Sequence, residues 1–181
     1  MVVSAGTEAL EAMQSRKRAF DFEEVFRNHY ARIASVIARV VRDRARAEDV
    51  AVEVFLKLWL SRDKPLDKPE AWIYRVAVRK ALDDLRRQAR RQRYEQVLDF
   101  VRRGPTPEET RSADEERERV HRVLAVMRPR NAELLVLRSE GLSYEELAGA
   151  LGVKVASVGT FLARAQQAFR KEYVKRYGTE R

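Results

Sequence analysis

The sequence has no cysteine, only two histidines and no long apolar run. Without cysteine the chain has neither disulfides nor a thiol nucleophile, which suits a reducing compartment. His29 and His121 lie far apart and no metal-ligand spacing surrounds either, so we expect no metal and no cofactor. No apolar stretch approaches the ~20 residues that span a bilayer, and the N-terminus lacks the apolar core of a signal peptide. We therefore expect a soluble, cytoplasmic protein that does not insert into a membrane.

Positive charge is in excess, because 37 Lys and Arg residues stand against 28 Asp and Glu, a formal net charge of +9. Polyanions are therefore favoured partners, although a basic composition alone identifies no ligand. Charged residues make up 36% of the chain and hydrophobic residues 45%, which is typical of a globular protein. No segment alternates polar and apolar residues in steps of two. Apolar residues instead recur at three- and four-residue steps, which predicts an all-α fold.

Composition divides the chain into two small helical domains joined by an acidic linker. A first helix begins at Asp21, a second runs from about Arg46 to Leu60, and a third, strongly basic helix starts at Pro69. After Gly104 two prolines and the acidic run "EETRSADEERER" indicate a linker. The predicted organisation is an N-terminal arm (1–20), a first domain (21–95), a linker (96–118) and a second domain (119–181).

The stretch "GLSYEELAGALGVKVASVGTFLARAQQAFRK" predicts two helices joined by a tight turn. Ser143 and Glu146 have the spacing of a capping box, and Gly152 supplies the positive φ that ends the first helix. An ordinary αα-hairpin shares these features. A DNA-binding helix-turn-helix is favoured because the exposed side of the second helix is polar and basic. That side carries Thr160, Arg164, Gln167, Arg170 and Lys171.

The first turn of that second helix offers few groups for reading bases. Bidentate readout needs Arg on guanine, or Asn or Gln on adenine, each worth about 1–3 kcal/mol of discrimination. Lys154, Ser157 and Thr160 provide no such fork. We therefore expect binding mainly through the phosphate backbone, thymine methyl groups and groove shape. The sequence discrimination of this module alone is modest, so another part of the chain must contribute.

Four motifs in order carry a resemblance to a known family. "AEDVAVEVFLKLW", "WIYRVAVRKALDDLRR", the acidic linker and "GLSYEELAGALGV…SVGTFLARA" together resemble a bacterial sigma factor of the sigma-70 family. More narrowly, the chain resembles the extracytoplasmic-function (ECF, group IV) branch, which keeps only the second and fourth conserved domains. The resemblance covers about residues 20–95 and 115–172. It implies core RNA polymerase and promoter DNA as partners, and an anti-sigma factor as an inhibitor.

The resemblance places the contact with the polymerase clamp on the "AED" helix. By position the contact residues are Asp49, Glu53, Phe55 and Leu56. Asp49 and Glu53 lie four residues apart, which puts them on one face of a helix. For either acid alone, simple surface charge is the alternative. Val52 departs from the glutamine that the family usually has there.

By the same resemblance, the third helix and the loop 61–70 before it open the minus-10 element. The implied site residues are Asp63, Lys64, Trp72, Arg75, Arg79, Lys80, Arg86 and Arg87. Cationic grooves and stacking surfaces hold single-stranded DNA, and a flipped base needs a pocket. A solvated basic face is the alternative for each single arginine, and Trp72 and Tyr74 suit a core better than a stacking platform. Val78 and Arg79 depart from the Arg and Asn of the family pattern.

Minus-35 recognition falls by resemblance to the helix 155–170. The implied contact residues are Lys154, Ser157, Thr160, Arg164 and Gln167. Gly159 and Phe161 stand where family members often carry Lys and Arg, and Phe161 suits packing better than DNA contact. A weak reader suffices if the protein binds DNA only within the polymerase holoenzyme, because two weak sites in one complex gain effective concentration.

Three other functions compete with this interpretation. A stand-alone helix-turn-helix transcriptional regulator predicts a dimerisation helix, and no leucine-rich seam follows residue 165. A helical adaptor that binds only proteins has no use for the basic third helix. An enzyme is disfavoured because the sequence offers no histidine cluster, no Gly-rich phosphate loop and no suitable acid pair. We therefore expect a non-enzymatic sigma factor that directs promoter recognition and transcription initiation.

Overall fold

The computed structural model describes residues 20–62, 66, 68–103 and 112–178, with the backbone alone for 95–103 and 112–114. Within these ranges all regular structure is α-helical, which confirms the predicted fold class. The helices are α1 (Phe22–Val41), α2 (Arg44–Trp59), α3 (Pro69–Arg103), α4 (Ser112–Val126), α5 (Pro129–Ser139), α6 (Tyr144–Leu151) and α7 (Val155–Tyr177).

Local sequence signals set the beginnings of the first and third helices. The Asp21 carboxylate accepts hydrogen bonds from the backbone N–H groups of Glu23 and Glu24, at 2.9 and 3.2 Å. It thereby satisfies two of the donors that the first turn of α1 leaves free. Pro69 is the first residue of α3, where its missing N–H costs nothing and its fixed φ suits a helix.

Helices α1, α2 and α3 pack on one another and form the first unit. The apolar stripe predicted on α1 is buried, except that Phe26 is exposed. Burying one Val, Leu or Ile side chain fully stabilises the fold by about 1.5–3 kcal/mol, so this layer holds the unit together. The fully buried side chains of the unit include Ile33, Val36, Ile37, Val54, Leu58, Ile73 and Leu82.

Helices α4 to α7 form the second unit, in which α7 contacts each of the other three. Its core is made of aliphatic side chains and two alanines at close helix contacts. These buried residues include Val123, Ala132, Leu134, Leu137, Leu142, Leu147, Val158, Leu162 and Ala165. The acidic run before this core is helical from Ser112, and its side chains pair within the protein. Glu116 accepts a hydrogen bond from the Tyr173 hydroxyl at 2.7 Å, and Glu118 pairs with Arg42 of α1.

The two units pack against each other along α3, which contacts α4, α5 and α6. Their buried residues form one continuous apolar cluster. The backbone of α3 stays helical to Arg103, beyond the predicted domain end at 95, and α4 begins at Ser112 inside the predicted linker. Residues 1–19 of the predicted arm and 104–111 of the linker lie outside the described ranges. The domain boundaries therefore stay predictions.

Over the described part of the chain, no single helix is long and apolar enough to span a membrane. Only α6 and α7 taken together reach that length and hydropathy, and they are bent by 86° at the turn that joins them. The same residues include no group of three His, Cys, Asp or Glu side chains placed to hold a metal ion.

Candidate nucleic-acid interface

An exposed apolar surface lies on the outer side of α2 and the neighbouring part of α1. We call it the apolar face and define it by Phe26, Val52, Leu56, Trp59 and Leu60. Positions 52, 56, 59 and 60 follow the three- and four-residue spacing of one helix face. Leu56 is 55% exposed, so its side chain is available to a partner. Several large apolar side chains exposed together are typical of an interaction site.

Asp49 is exposed, and its position extends the line of Val52 and Leu56 towards the start of α2. The structure therefore brings Asp49 and Leu56, two of the predicted polymerase contacts, to one surface. For Phe55 the prediction is wrong. Its ring is only 2% exposed and packs edge-on against Phe26, with ring centroids 5.0 Å apart. Phe55 supports the apolar face from beneath instead of forming part of it.

Glu53, the other predicted polymerase contact, turns towards α3. Its carboxylate accepts a hydrogen bond from Lys80 Nζ at 2.5 Å, and Arg46 Nη1 lies 3.9 Å away. The hydrogen bond from Lys80, opposed by partial burial, holds the pKa of Glu53 below its ordinary value. Glu53 is half exposed, but its charge is already engaged within the protein.

Asp84 lies at the centre of the contact between α2 and α3. Arg46 donates two hydrogen bonds to its carboxylate, from Nε at 2.8 Å and from Nη2 at 3.0 Å. Arg87 approaches the same carboxylate at 3.1 Å. The hydrogen bonds from Arg46 outweigh the effect of burial, so the pKa of Asp84 is lowered and that of Arg46 is raised. This bidentate pair fixes α2, which carries the apolar face, against the basic helix α3.

A cationic cavity of about 600 Å³ opens between α3 and the end of α2. Five of the predicted minus-10 residues line it, namely Trp72, Arg75, Arg79, Lys80 and Arg87. Lys57, Ser61 and Leu66 complete the lining that concerns us here. Basic groups beside one aromatic edge are what a single strand of nucleic acid needs. Asp63 and Lys64, which belong to the same prediction, lie outside the described residues.

Arg86 does not belong to this surface, contrary to the prediction. Its side chain is largely buried, and its Nη1 donates to Asp83 at 3.0 Å. Trp72 is half-buried and reaches the cavity, whereas Tyr74 is buried in the core. Burial raises the pKa of the Tyr74 hydroxyl, with Arg32 opposing the shift. Arg86 and Tyr74 therefore serve packing, as the spacing along a helix could not reveal.

The helix-turn-helix forms as its sequence predicts. Ser143 Oγ accepts from the N–H of Glu146 at 3.2 Å, while the Glu146 carboxylate accepts from the N–H of Ser143 at 2.7 Å. Gly152 ends α6 with φ of 64°, the left-handed conformation that glycine adopts without strain. The added Cβ at Gly159 would meet the ring of Tyr144 at 3.8 Å, an ordinary contact, so packing alone does not require glycine there.

One face of α7 carries the predicted minus-35 residues. Lys154, Thr160, Arg164 and Gln167 are exposed, and Ser157 is half-buried at the first turn. Phe161 packs against the core, with the Arg130 guanidinium 5.3 Å from its ring centroid, so it faces away from solvent as expected. A basic stripe continues towards the C-terminus of α7. It consists of Arg164, Arg170, Lys171 and Lys175, and no acidic residue occurs between 155 and 171.

Comparison with known proteins gives two family matches that together cover both units. Residues 25–91 match the model of sigma-70 region 2, and residues 117–168 match that of sigma-70 region 4. The chain is 30% identical over 168 residues to the RNA polymerase sigma-H factor of Pseudomonas aeruginosa, a match that covers 86% of each protein. The chain belongs to the sigma-70 family. This sigma factor is also 29% identical over 159 residues to the ferric citrate uptake sigma factor FecI of Escherichia coli, covering 84% of our chain and 92% of FecI.

A relative named as an ECF sigma factor, SigE of Mycolicibacterium smegmatis, is 26% identical to this sigma factor over 180 residues and covers 97% of it. Among solved structures, the sigma factor RpoE of Bartonella quintana in complex with the anti-sigma factor NepR is 17% identical, with a TM-score of 0.48. That match covers 84% of our chain and 96% of the Bartonella chain. Region 2 of our sigma factor thus corresponds to α1–α3, and region 4 to α4–α7.

Two residues that organise region 2 were missed by sequence reasoning. Asp84 was treated only as an acid that reduces the charge of the basic helix, and Arg46 only as the start of α2. Both have a weak signal: an acid inside a run of arginines is a candidate ion-pair partner. Which arginine it pairs with depends on how α2 crosses α3, and a single helix period does not contain that information.

Proposed function

We propose that this sigma factor is a member of the ECF branch that acts in the cytoplasm, binds core RNA polymerase through α2 and engages promoter DNA through α3 and α7. It works by recognition and strand opening, without covalent catalysis. The observation that carries the proposal is the apolar face, which continues into the exposed carboxylate of Asp49. A surface with an apolar centre and a charge at its edge has the anatomy of a protein–protein interface.

The polymerase contact follows from the energetics of that face. Val52, Leu56 and Trp59 keep much of their apolar area in water. Covering such area stabilises a complex by about 25 cal/mol per Å², before the costs of association. Glu53 contributes less than its sequence position predicts, because Lys80 already neutralises it. We therefore assign the contact to Asp49 and Leu56 together with Val52 and Trp59.

The cationic cavity on α3 is the candidate site for the separated minus-10 strand. Arg75 and Lys80 supply positive charge for phosphates, and the half-buried Trp72 supplies an edge against which a base can pack. The Arg46–Asp84 pair keeps the walls of this cavity in place from the α2 side. Stacking and charge act on any base, so promoter preference here depends on the shape of the cavity.

The exposed face of α7 is the candidate site for duplex DNA at minus-35. Ser157 and Thr160 can donate to phosphates near the N-terminus of α7, and Arg164 adds positive charge one turn later. No Arg, Asn or Gln occupies the first turn, so the affinity of this surface comes chiefly from the backbone. Polymerase joins it to the α3 site in one complex, which raises the effective concentration of each for its DNA.

An anti-sigma factor is part of the proposal. It acts by competing with polymerase for the apolar face, or by binding between the two units. Either mode leaves the assignment of the DNA-binding surfaces unchanged.

Binding to bacterial core RNA polymerase tests the proposal. Wild type is compared in a pull-down and by titration with Asp49→Arg and with Leu56→Asp. Both residues are exposed, so the fold is unaffected, which far-UV circular dichroism checks. Loss of a well-placed interface residue typically costs 1 kcal/mol or more, so we expect affinity for core polymerase to fall about tenfold in each variant.

Glu145→Arg is the matched control, since Glu145 is exposed on α6, far in sequence from the apolar face. It makes the same charge change as Asp49→Arg in kind and is expected to bind core polymerase like wild type. A wild-type protein that ignores core polymerase but binds duplex DNA contradicts the proposal, and a stand-alone regulator would then take its place. Equal losses in Glu145→Arg and Asp49→Arg would contradict the assigned surface.

A further inference from the structure

The two candidate DNA surfaces differ in how their cations are used. On α3, Arg79, Lys80 and Arg87 each pair with a carboxylate of the protein itself. On α7, by contrast, Arg164, Lys171 and Lys175 form no ion pair with any residue in the described ranges. The strand-opening surface is therefore neutralised internally, whereas the duplex-binding surface is available.

One of these internal partners comes from the other unit. Glu133 of α5 accepts two hydrogen bonds from Arg79, from Nε at 2.9 Å and from Nη2 at 3.2 Å. Its residue is only 2% exposed, although Arg79 itself is more than half exposed. The fork of a guanidinium binds a carboxylate and a phosphate in the same geometry. Glu133 thus occupies the donors that a DNA phosphate would use.

The units also meet beside this pair. A cavity of about 390 Å³ separates Arg75 and Arg79 from Arg130 and Leu151, so region 4 lies directly over part of the α3 surface. Gly149 of α6 approaches the start of α3 closely, because a Cβ there would lie 3.2 Å from Lys68 Cδ and 3.6 Å from Ala71 Cβ. Such packing leaves no room for a nucleic-acid strand on that side of α3.

A row of polar contacts closes the seam between the units on the α1 side. Arg42 pairs with Glu118 at 2.8 Å and Arg39 with Glu140 at 3.0 Å. His121 Nε2 lies 2.9 Å from the Arg39 carbonyl oxygen, in the last turn of α1. None of these residues belongs to the proposed DNA or polymerase surfaces, so they can be changed without touching either.

We propose that the free sigma factor is held closed, with Glu133 competing against nucleic acid for Arg79, so that the strand-opening surface is masked while α7 stays free to bind duplex DNA. The proposal rests on the function assigned to the α3 surface above. Opening of the seam, as when core polymerase separates the units, then releases Arg79. Affinity for single strands is reduced by the fraction of molecules that are open, and whatever opens the seam removes that penalty.

Charge reversal across the seam tests the proposal. Arg42→Glu places a carboxylate opposite Glu118 and opens the seam, and the swap Arg42→Glu with Glu118→Arg restores an attractive pair. The direct variant is Glu133→Gln, which keeps the shape of the side chain but loses its charge. Glu145→Gln is its control, with the same change in net charge at an exposed position. Circular dichroism checks that all variants are folded.

Two measurements report the outcome. Fluorescence anisotropy gives the affinity for a labelled single strand of ~12 mixed-sequence nucleotides and for duplex DNA. Energy transfer between dyes reports separation of the units. Because the chain lacks cysteine, single cysteines introduced at the exposed Ser35 of α1 and Gln166 of α7 are labelled specifically. DNA binding is measured on the unlabelled proteins.

We expect Arg42→Glu and Glu133→Gln to lower energy transfer and to raise single-strand affinity at least about fivefold, the low end of typical coupling between sites. For Arg42→Glu this direction is decisive, since a more negative protein should otherwise bind DNA more weakly. The swap should return both signals towards wild type. Duplex affinity of Glu133→Gln should match that of Glu145→Gln, because α7 is free in both states.

Unchanged energy transfer and unchanged single-strand affinity in both opening variants would overturn the proposal. So would lower energy transfer without a gain in affinity, because separation would then uncover no binding surface. These failures are distinct from failure of the proposed function, which is decided by binding of wild type to core polymerase. A protein that binds core polymerase but shows no masking keeps its function and loses this inference.

Discussion

Replacing Arg46 by methionine removes the guanidinium that joins α2 to α3 and leaves the Asp84 carboxylate buried. Methionine keeps most of the length of the side chain and its helix propensity, so the change is mainly electrostatic. Asp84 loses hydrogen bonds of 2.8 and 3.0 Å and retains the Arg87 contact at 3.1 Å. We expect the free energy of unfolding to fall.

The magnitude follows from the two bonds that are lost. A hydrogen bond to a charged group contributes about 1.5–3 kcal/mol, and a stranded carboxylate adds to the loss. The Arg46 side chain is 35% exposed, so solvent screens the pair, and Arg87 retains part of the interaction. We therefore expect a loss of about 2 kcal/mol at pH 7, which lowers the melting temperature by about 4–8 °C for a chain of this size.

The pH dependence gives the prediction a second, independent readout. Arg46 holds the pKa of Asp84 below its ordinary value, so the unfolded state binds the proton at a higher pH than the folded state does. The contribution of the pair is complete above the ordinary carboxyl pKa of about 3.9 and is lost as pH falls through the lowered value. The difference in stability between wild type and Arg46→Met should therefore shrink below about pH 4.

Urea unfolding followed by circular dichroism at neutral and acid pH measures both effects. Arg44→Met is the matched control on the same helix, since Arg44 is 92% exposed and pairs only with the exposed Glu48. An exposed pair of this kind contributes about 0.3–0.5 kcal/mol. Equal stabilities of Arg46→Met and Arg44→Met, or a difference that does not change with pH, would refute the reasoning.

Two further predictions concern region 4. Ser143→Ala removes the side-chain acceptor of the capping box and should lower the free energy of unfolding by about 1 kcal/mol in urea titrations, while the exposed Ser35→Ala should have little effect; equal losses would contradict the capping role. Arg164→Ala should weaken duplex binding almost equally for all sequences and reduce the slope of log affinity against log salt by about 0.9, measured by anisotropy. An unchanged slope would show that Arg164 does not contact a phosphate.

The sequence predicted well the features that depend on neighbours in the chain. The Ser143–Glu146 box, the positive φ of Gly152 and the start of α3 at Pro69 are all confirmed, because each involves residues within one turn. The all-α fold follows from the same local periodicity. These features place α6, α7 and the basic helix, and hence most of the candidate DNA surfaces, before any contact between helices is known.

The sequence failed where side chains from distant segments decide the outcome. On α2, apolar residues nearly encircle the helix, so its pattern did not reveal that Phe55 points inward while Leu56 points out. Arg79 was assigned to DNA, but its partner Glu133 lies 54 positions away, beyond any helical spacing. Glu53 was likewise separated from Lys80 by 27 positions. In each case the packing of one helix on another selects the partner.

The end of α1 shows that local backbone comfort and long-range connection can oppose each other. Arg42 has φ of 61°, and among described residues with a side chain it alone has a positive φ. For a residue with a Cβ this conformation costs roughly 1–2 kcal/mol, a strain that glycine avoids. Yet glycine has no guanidinium with which to reach Glu118 on the other unit. Selection for a more stable α1 would therefore loosen the tie between regions 2 and 4, and the strained arginine records which of the two this molecule has kept.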